Sequence, residues 1–163
     1  MKIIGLILVT CTLGSLRGIG QSNQYDVFTY QMPEYFSKND LTSRVQFNLT
    51  NSDTSFCAIT LYRSKPIKGD TNVLRRQWNE YAVKQLARCD KRPQQILTGQ
   101  QWDGWTSTLA IGNFYRNKKK CVVMLNSFTK GNVTACVVFA LSDKSFKQPI
   151  ETFSKQLHLN NYK

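Results

Sequence analysis

Three successive strands near the carboxyl end constrain the fold of this chain more than any other feature of its sequence. They are predicted at 104–116, 120–128 and 132–141, because β-branched and aromatic residues dominate these segments. The gaps between them leave room only for tight turns, and the second turn is predicted at Lys130-Gly131. Consecutive strands joined by tight turns pair antiparallel, so the sequence predicts an antiparallel sheet.

Three more strands are predicted in the first half of the chain, at 25–32, 44–50 and 56–63. The middle one alternates apolar and polar residues, and this period of two is typical of a half-buried strand. Its apolar face consists of Val45, Phe47 and Leu49. In the third strand both alternating sets are apolar, with Cys57, Ile59 and Leu61 on one face and Phe56, Ala58 and Tyr62 on the other.

Two helices are predicted from apolar residues that recur at intervals of three or four. The stripe of the first helix consists of Leu74, Trp78, Tyr81, Ala82 and Leu86. Asp70 or Thr71 is expected to cap its start, and it is expected to end before Pro93. The stripe of the second helix consists of Phe146, Ile150, Phe153 and Leu157, with Pro149 in the first turn.

The order of the elements is therefore strands, helix, strands, helix. Strands joined by short turns form one antiparallel β-sheet, and two main helices cover it to give a layered α+β fold. We find no internal repeat, linker or low-complexity tract, so residues 21–163 are predicted to form a single domain.

The amino terminus has the pattern of a secretory signal peptide. An uncharged apolar run follows a positively charged start, and Gly18 and Gly20 fit the small-x-small site before Gln21. Residues 1–20 are therefore predicted to be removed, and we expect a secreted or periplasmic protein. The run is far shorter than the roughly 20 apolar residues of a spanning helix. The alternatives are a buried first strand and a lipoprotein with its lipid on Cys11.

The chain is strongly basic. Its formal net charge is +12, and loss of residues 1–20 removes two basic residues and no acidic one, which leaves +10 on 143 residues. A surplus of this size favours contact with an anionic partner, such as a lipid headgroup, an acidic glycan, nucleic acid or an acidic protein. A soluble surface with many lysines explains the same charge.

Four cysteines follow the predicted signal peptide, namely Cys57, Cys89, Cys121 and Cys136. In an oxidising compartment an even number is consistent with disulfides, and free buried thiols are the alternative in a domain of this size. The predicted turn places Leu125 opposite Cys136 and Cys121 opposite Ala140, so Cys121 and Cys136 are not expected to bond to each other. Cys57 is left to pair with one of those two from a neighbouring strand.

Several short segments resemble those of small secreted proteins of Bacteroidota whose fold is similar to that of the PsbP family, extrinsic proteins of the photosynthetic oxygen-evolving complex. The segments are Tyr30-Gln-Met-Pro33, Phe56-Cys-Ala-Ile-Thr-Leu-Tyr62, Trp78-Asn79 and Phe153-x-x-x-Leu157-His-Leu159. The resemblance covers most of residues 25–159 and implies a PsbP-like α/β/α sandwich. Members of this fold group mostly bind proteins, and the shared segments contain no catalytic motif.

The sequence offers little for catalysis. Its one histidine, His158, lies near the carboxyl terminus, where a surface or capping role is the usual one. There is no G-x-S-x-G nucleophile motif, no closely spaced acid pair and no glycine-rich phosphate loop. We therefore expect no enzymatic activity, no cofactor and no metal site.

Trp102-Asp103-Gly104-Trp105 is the most suggestive motif for binding. A turn with two tryptophans would present large amphipathic rings of the kind that partners contact, so Trp102 and Trp105 are candidate binding residues. The alternative is that one or both rings pack over the end of the core.

A second candidate surface is the outer face of the first predicted helix, which is strongly basic. The residues are Arg75, Arg76, Lys84 and Arg88, followed by Lys91 and Arg92. This face would meet an acidic partner or an anionic membrane surface, and an ordinary solvated face is the alternative. Aromatic residues hardly interleave with these charges, so there is no dedicated nucleic-acid motif.

Together these features favour a non-enzymatic binding module that contacts a protein or an anionic component of the envelope. A small-molecule or lipid carrier is the alternative, with a cleft between helix and sheet lined by Phe36, Phe114 and Tyr115. A third hypothesis is a hydrolase that uses His158 with Asp90, Asp103 or Asp143.

Overall fold

A computed structural model describes residues 22–52, 54–67, 69 and 72–161. The predicted signal peptide, its cleavage site before Gln21 and the predicted helix caps Asp70 and Thr71 lie outside the described residues. Within them, no helix is long and apolar enough to cross a membrane.

The described residues form ten strands and two α-helices. The strands are β1 (Ser22–Tyr25), β2 (Phe28–Gln31), β3 (Ser37–Leu41), β4 (Arg44–Ser52), β5 (Ser55–Pro66), β6 (Gln95–Trp102), β7 (Trp105–Arg116), β8 (Lys119–Lys130), β9 (Val133–Leu141) and β10 (His158–Leu159). The helices are α1 (Val73–Trp78), which continues as a π-turn (Asn79–Val83), and α2 (Lys147–Lys155), which follows a 3₁₀ turn (Lys144–Phe146).

Seven strands form one antiparallel sheet in the order β3-β4-β5-β9-β8-β7-β6. A smaller antiparallel sheet has the order β1-β2-β10. The three predicted carboxyl-terminal strands correspond to β7, β8 and β9, and the prediction of an antiparallel sheet with two main helices is confirmed.

Both faces of the large sheet are covered. Cys57, Ile59 and Leu61 of β5 belong to the core on the side of α2 and the small sheet. Phe56 and Tyr62 of the same strand belong to the core on the side of α1. β9 lies between two neighbours near the middle of the sheet and is buried along its whole length. The result is a layered sandwich with the sheet between the two helices.

Trp78 fixes α1 on the sheet. Its ring lies over Gly112 of β7, where an added Cβ would approach within 2.8 Å of the indole Cζ2. The indole N–H donates to the backbone oxygen of Asp90 at 2.9 Å. Trp78 is 1 % exposed, so its ring is enclosed and has no room to move aside. The helix can therefore approach β7 this closely only because residue 112 is glycine.

The first helix ends earlier than the sequence predicts. The chain leaves the helical path after Val83, and Arg88 has a positive φ of 49°. From Ala87 onward the backbone bonds to the edge of β7 instead: Tyr115 N donates to the Ala87 oxygen at 3.0 Å, and Asp90 N donates to the Asn113 oxygen at 2.9 Å. Backbone groups engaged with a strand cannot continue the i to i−4 pattern of a helix.

The turn between β8 and β9 also differs from the prediction. Lys130 pairs with Val133, so the turn is Gly131-Asn132, and Leu125 lies opposite Val138 rather than Cys136. The predicted register is wrong by two residues. Because side chains alternate with a period of two, each still faces the predicted side of the sheet.

All four cysteines after the predicted signal peptide are free thiols in the structure. Cys57 belongs to the core on the α2 side, whereas Cys121 and Cys136 belong to the core on the α1 side. The sheet therefore separates Cys57 from both partners that the sequence left open. Cys136 lies opposite Ser127, several residues along β8 from Cys121.

Candidate functional site

The tryptophan turn holds the carboxyl-terminal segment. Trp102 and Trp105 face each other across a tight turn, in which Asp103 and Gly104 have φ values of 51° and 76°. Such a turn requires positive φ at both central positions, which Asp-Gly supplies. The indole N–H of Trp102 donates to the Leu157 oxygen, and that of Trp105 donates to the Asn160 oxygen, both at 3.3 Å.

These contacts take Trp105 out of the candidate binding surface. Its side chain is completely buried, so its ring has no face for a partner. Trp102 is partly buried and packs edge-to-face on Phe128, with 5.9 Å between ring centroids. The arrangement corresponds to the alternative in which the rings pack over the end of the core.

His158 pairs with Asp103 beside this turn. His158 Nδ1 lies 3.4 Å from Asp103 Oδ2, and the same oxygen accepts a 2.9 Å hydrogen bond from Leu159 N. Ser154 lines the same shallow groove, but no hydrogen bond joins it to His158 among the described side chains. The pair fastens β10 to the turn, and the groove is open and wide.

The other two acids of the hydrolase hypothesis, Asp90 and Asp143, accept hydrogen bonds from neighbouring backbone and side-chain groups. Asp90 Oδ2 accepts hydrogen bonds from Asn113 N at 2.8 Å and from Gln94 Nε2 at 2.9 Å. Asp143 caps the turn before α2, and hydrogen bonds from Ser145 and Ser142 lower the pKa of its carboxyl to about 2. The Asp90 carboxylate thus joins the irregular segment to β7, and the Asp143 carboxylate stabilises the turn before α2.

The predicted basic face is divided between two places. Arg75 and Arg76 lie in the last turn of α1. Lys84 follows the π-turn, and Arg88 lies in the irregular segment that runs along β7; both are exposed. The two pairs do not share one helix face, because the helix ends before Lys84.

A cleft separates this irregular segment from the sheet, and we call it the α1-side cleft. Its volume is about 390 Å³. The lining consists of Gln46, Asn48, Thr50, Phe56, Cys57, Ala58, Gln85, Leu86, Ala87, Phe114, Tyr115, Arg116, Asn117 and Ala140. Phe114 and Tyr115 line it as predicted, whereas Phe36 is buried in the core on the opposite side of the sheet.

The period of β4 creates one wall of the cleft. Val45 and Phe47 point into the core on the α2 side, so Gln46, Asn48 and Thr50 point to the α1 side. The opposite wall is Gln85 to Ala87, which the bond from Tyr115 N holds against β7. The polar residues of β4 thus face residues 85–87, which were predicted to be helical and are irregular in the structure.

The cleft has a positive charge at its mouth. The Arg116 guanidinium lies 4.2 Å from the centroid of the Phe56 ring, within the range of a cation–π interaction. Lys84 and Arg88 immediately flank the wall segment in the sequence, and Arg44 Nη1 lies 3.5 Å from Gln85 Oε1. Among the described residues that line the cleft, Arg116 alone carries a charge.

Sequence reasoning missed Arg116 and the polar residues of β4 as candidates. The alternation of β4 shows that Gln46, Asn48 and Thr50 face away from one core, but it gives no sign that another segment lies opposite them. Arg116 stands at the end of a strand beside a basic turn, where a solvated side chain is the usual finding.

Comparison with known proteins places the fold. No family model matches this chain, and no curated protein matches its sequence. Solved structures do match it. LpqN of Mycobacterium tuberculosis, a protein involved in cell envelope biogenesis, aligns over 90% of this chain and 88% of its own length, with a TM-score of 0.56 and 12% identity.

Two further structures are similar. A Bacteroides thetaiotaomicron protein aligns over 87% of this chain at a TM-score of 0.53 and 12% identity, and this chain spans about half of it, 49%. CyanoP, the PsbP of the cyanobacterium Synechocystis, aligns over 90% of this chain and 98% of its own, with a TM-score of 0.56 and 12% identity. At this level of identity the likeness concerns the fold alone, and the fold of this chain is PsbP-like α+β.

Proposed function

We propose that this protein is a binding module without enzymatic activity that acts outside the cytoplasm, as a secreted or periplasmic protein. Its partner is an anionic protein or another anionic component of the cell envelope. The predicted signal peptide supports the location. The similarity in fold to LpqN, which is involved in cell envelope biogenesis, supports the setting by analogy.

The observation that carries the proposal is the charge around the α1-side cleft. Lys84 and Arg88 are exposed beside one wall, Arg116 lies at the mouth, and none of the described residues that line the cleft is acidic. Neighbouring positive charges attract an anionic surface and raise the rate of its association. Arg75 and Arg76 add a separate positive patch on α1.

A pull-down under a salt gradient tests this role. The tagged protein is mixed with a native envelope extract, eluted with rising salt, and the eluate is identified by mass spectrometry. We expect one component that survives salt well above physiological strength. Broad material lost at modest salt would mean that net charge alone does the binding, since salt screens exposed charges.

Two variants locate the surface in that experiment. The double variant Lys84→Gln with Arg88→Gln is expected to release the component at clearly lower salt. The matched control, Lys144→Gln with Lys155→Gln, removes two charges near α2 on the other side of the sheet. Equal losses in the two variants would contradict a site on the α1 side.

A small-molecule or lipid carrier is the second candidate function, and the α1-side cleft favours it. Its volume of about 390 Å³ lies within the roughly 300–1,000 Å³ of typical ligand pockets. Aromatic side chains and a few polar groups line it, which is the usual composition of such pockets.

A further inference from the structure

We infer that the α1-side cleft selects small amphiphilic anions, which carry one acidic group on an apolar body, and that Arg116 binds the acidic group. The inference rests on the carrier role proposed above and names its ligand class. It also assigns the selecting residue.

The apolar body has a defined place. Phe56 and Phe114 meet edge-to-face in the cleft, with 6.1 Å between their centroids. Leu86 lines the cleft from the irregular segment. Because the two rings touch and are nearly buried, an apolar ligand portion lies against their accessible edges and against Leu86. Removing this apolar contact area from water is favourable in proportion to its size.

The place of the acidic group follows from the position of Arg116. Its guanidinium carbon lies over the Phe56 ring, 4.2 Å from the ring centroid. A guanidinium presents its N–H donors in a planar fork that matches the two oxygens of a carboxylate or sulfonate. Arg116 takes part in no ion pair with another described residue.

The other polar residues described in the lining are neutral. Gln46 and Asn48 line the wall opposite the irregular segment, and amide N–H groups can donate to a further ligand oxygen. A cation would meet Arg116 with no described carboxylate in the lining to compensate it. The charge of the cleft therefore discriminates against cationic ligands and favours anions over neutral molecules of the same shape.

Two fluorescent probes that differ by one charged group test the inference. One is 8-anilinonaphthalene-1-sulfonate, and the other is N-phenyl-1-naphthylamine, which has the same rings without the sulfonate. We expect the purified protein to bind the sulfonate about tenfold more tightly than the neutral probe, because a charge-assisted hydrogen bond contributes on this scale.

Four variants assign the binding. Arg116→Gln is expected to abolish the preference for the sulfonate, while Lys155→Gln on α2, on the other side of the sheet, leaves it unchanged. Thr50→Trp places a large ring in the cleft from an exposed strand position, and it is expected to weaken both probes at least about tenfold. Thr106→Trp, at an exposed position of β7 outside the cleft, is the control. Thermal melts confirm that each variant is folded.

The outcomes separate the two proposals. Loss of preference in Arg116→Gln, together with loss of both probes in Thr50→Trp, supports the inference. If Thr50→Trp weakens both probes but the protein binds them equally, the cleft is a carrier site and the inference is overturned. If Thr50→Trp changes neither probe, the ligand lies elsewhere and the carrier role fails as well.

Discussion

Gly112 shows how one missing side chain determines where a helix can lie. The residue is buried on β7, and the Trp78 ring occupies the space that a Cβ would need. Because the indole N–H is also bonded to the Asp90 oxygen, the ring cannot move away without losing that bond. The position of α1, and with it the start of the wall of the α1-side cleft, depends on this contact.

Gly112→Ala is therefore expected to destabilise the protein by about 1–3 kcal/mol, the usual cost of forcing extra volume into a packed core. Urea denaturation measures the change. In the double variant with Trp78→Phe the smaller ring relieves the clash, so the two effects should be clearly less than additive. Additive effects would show that the two side chains do not compete for the same space.

Asp143 gives the protein a predictable response to acid. The hydrogen bonds from Ser145 and Ser142 lower its pKa to about 2, from an ordinary value of 3.8. A carboxyl whose pKa is lower in the folded state stabilises the fold above pH 4, and this contribution disappears as the pH falls from about 4 towards 2. The side chain is 35% exposed, so solvent screening keeps the effect modest.

Asp143→Asn keeps a capping side chain and removes the charge. We expect its melting temperature to lie a few degrees below that of the wild type at pH 6, and the difference to vanish near pH 2. Ser145→Ala, which removes one donor, should show a smaller loss with the same pH dependence. A difference that stays constant between pH 6 and pH 2 would contradict this role of the Asp143 charge.

At the scale of elements, the period of the apolar residues predicts which side chains are buried more reliably than it predicts the backbone hydrogen bonds. Val45 and Phe47 face the α2-side core as their alternation predicts. The stripe from Leu74 to Leu86 also packs against a core, yet only Leu74 and Trp78 lie in α1. Tyr81 and Ala82 lie in the π-turn, and Leu86 lies in the irregular segment. Apolar residues spaced by three or four can reach the sheet from a π-turn and an irregular segment, so the pattern continues beyond the helix.

Short edge strands cannot be predicted from apolar periodicity, because they have too few buried residues to show one. Every residue of β3 is exposed, so its sequence has no apolar alternation to reveal a strand. β10 has two residues and is held by Asp103 and by pairing with β2. Strands of this kind form because a neighbouring strand offers partners, which the local sequence does not record.

The burial of the cysteines predicts how fast their thiols react. Burial raises the pKa of Cys57 to about 12, and burial with the neighbouring Asp90 carboxylate raises that of Cys89 to about 11. Cys136 is fully buried, and its pKa is raised well above the ordinary value. Thiols in such surroundings are mostly protonated at pH 8 and react slowly.

Ellman's reagent at pH 8 tests this prediction. Without reductant, the denatured protein should release four equivalents once residues 1–20 are removed, or five if Cys11 is retained. The folded protein should react far more slowly. A shortfall of two equivalents after denaturation would reveal a disulfide and would contradict the four free thiols of the structure.

At the scale of the whole molecule, the layered fold follows from the order of the elements, whereas the candidate site does not. The α1-side cleft exists because residues 84–94 leave the helical path and run along β7. No period in the sequence marks that path. Phe114 and Tyr115 could therefore be predicted as lining residues, but Gln46 and Arg116 could not, because their partners across the cleft are unknown until the chain is folded.

Both proposed functions place binding at the α1-side cleft, and amide chemical-shift mapping tests this central claim most directly. Decanoate, a simple amphiphilic anion, is titrated into the ¹⁵N-labelled protein. We predict that the largest shifts fall on residues 46–50, 85–87 and 114–117, and that Thr50→Trp removes them. Shifts centred on residues 102–105 and 154–158 would instead place the site in the groove beside His158 and contradict the account.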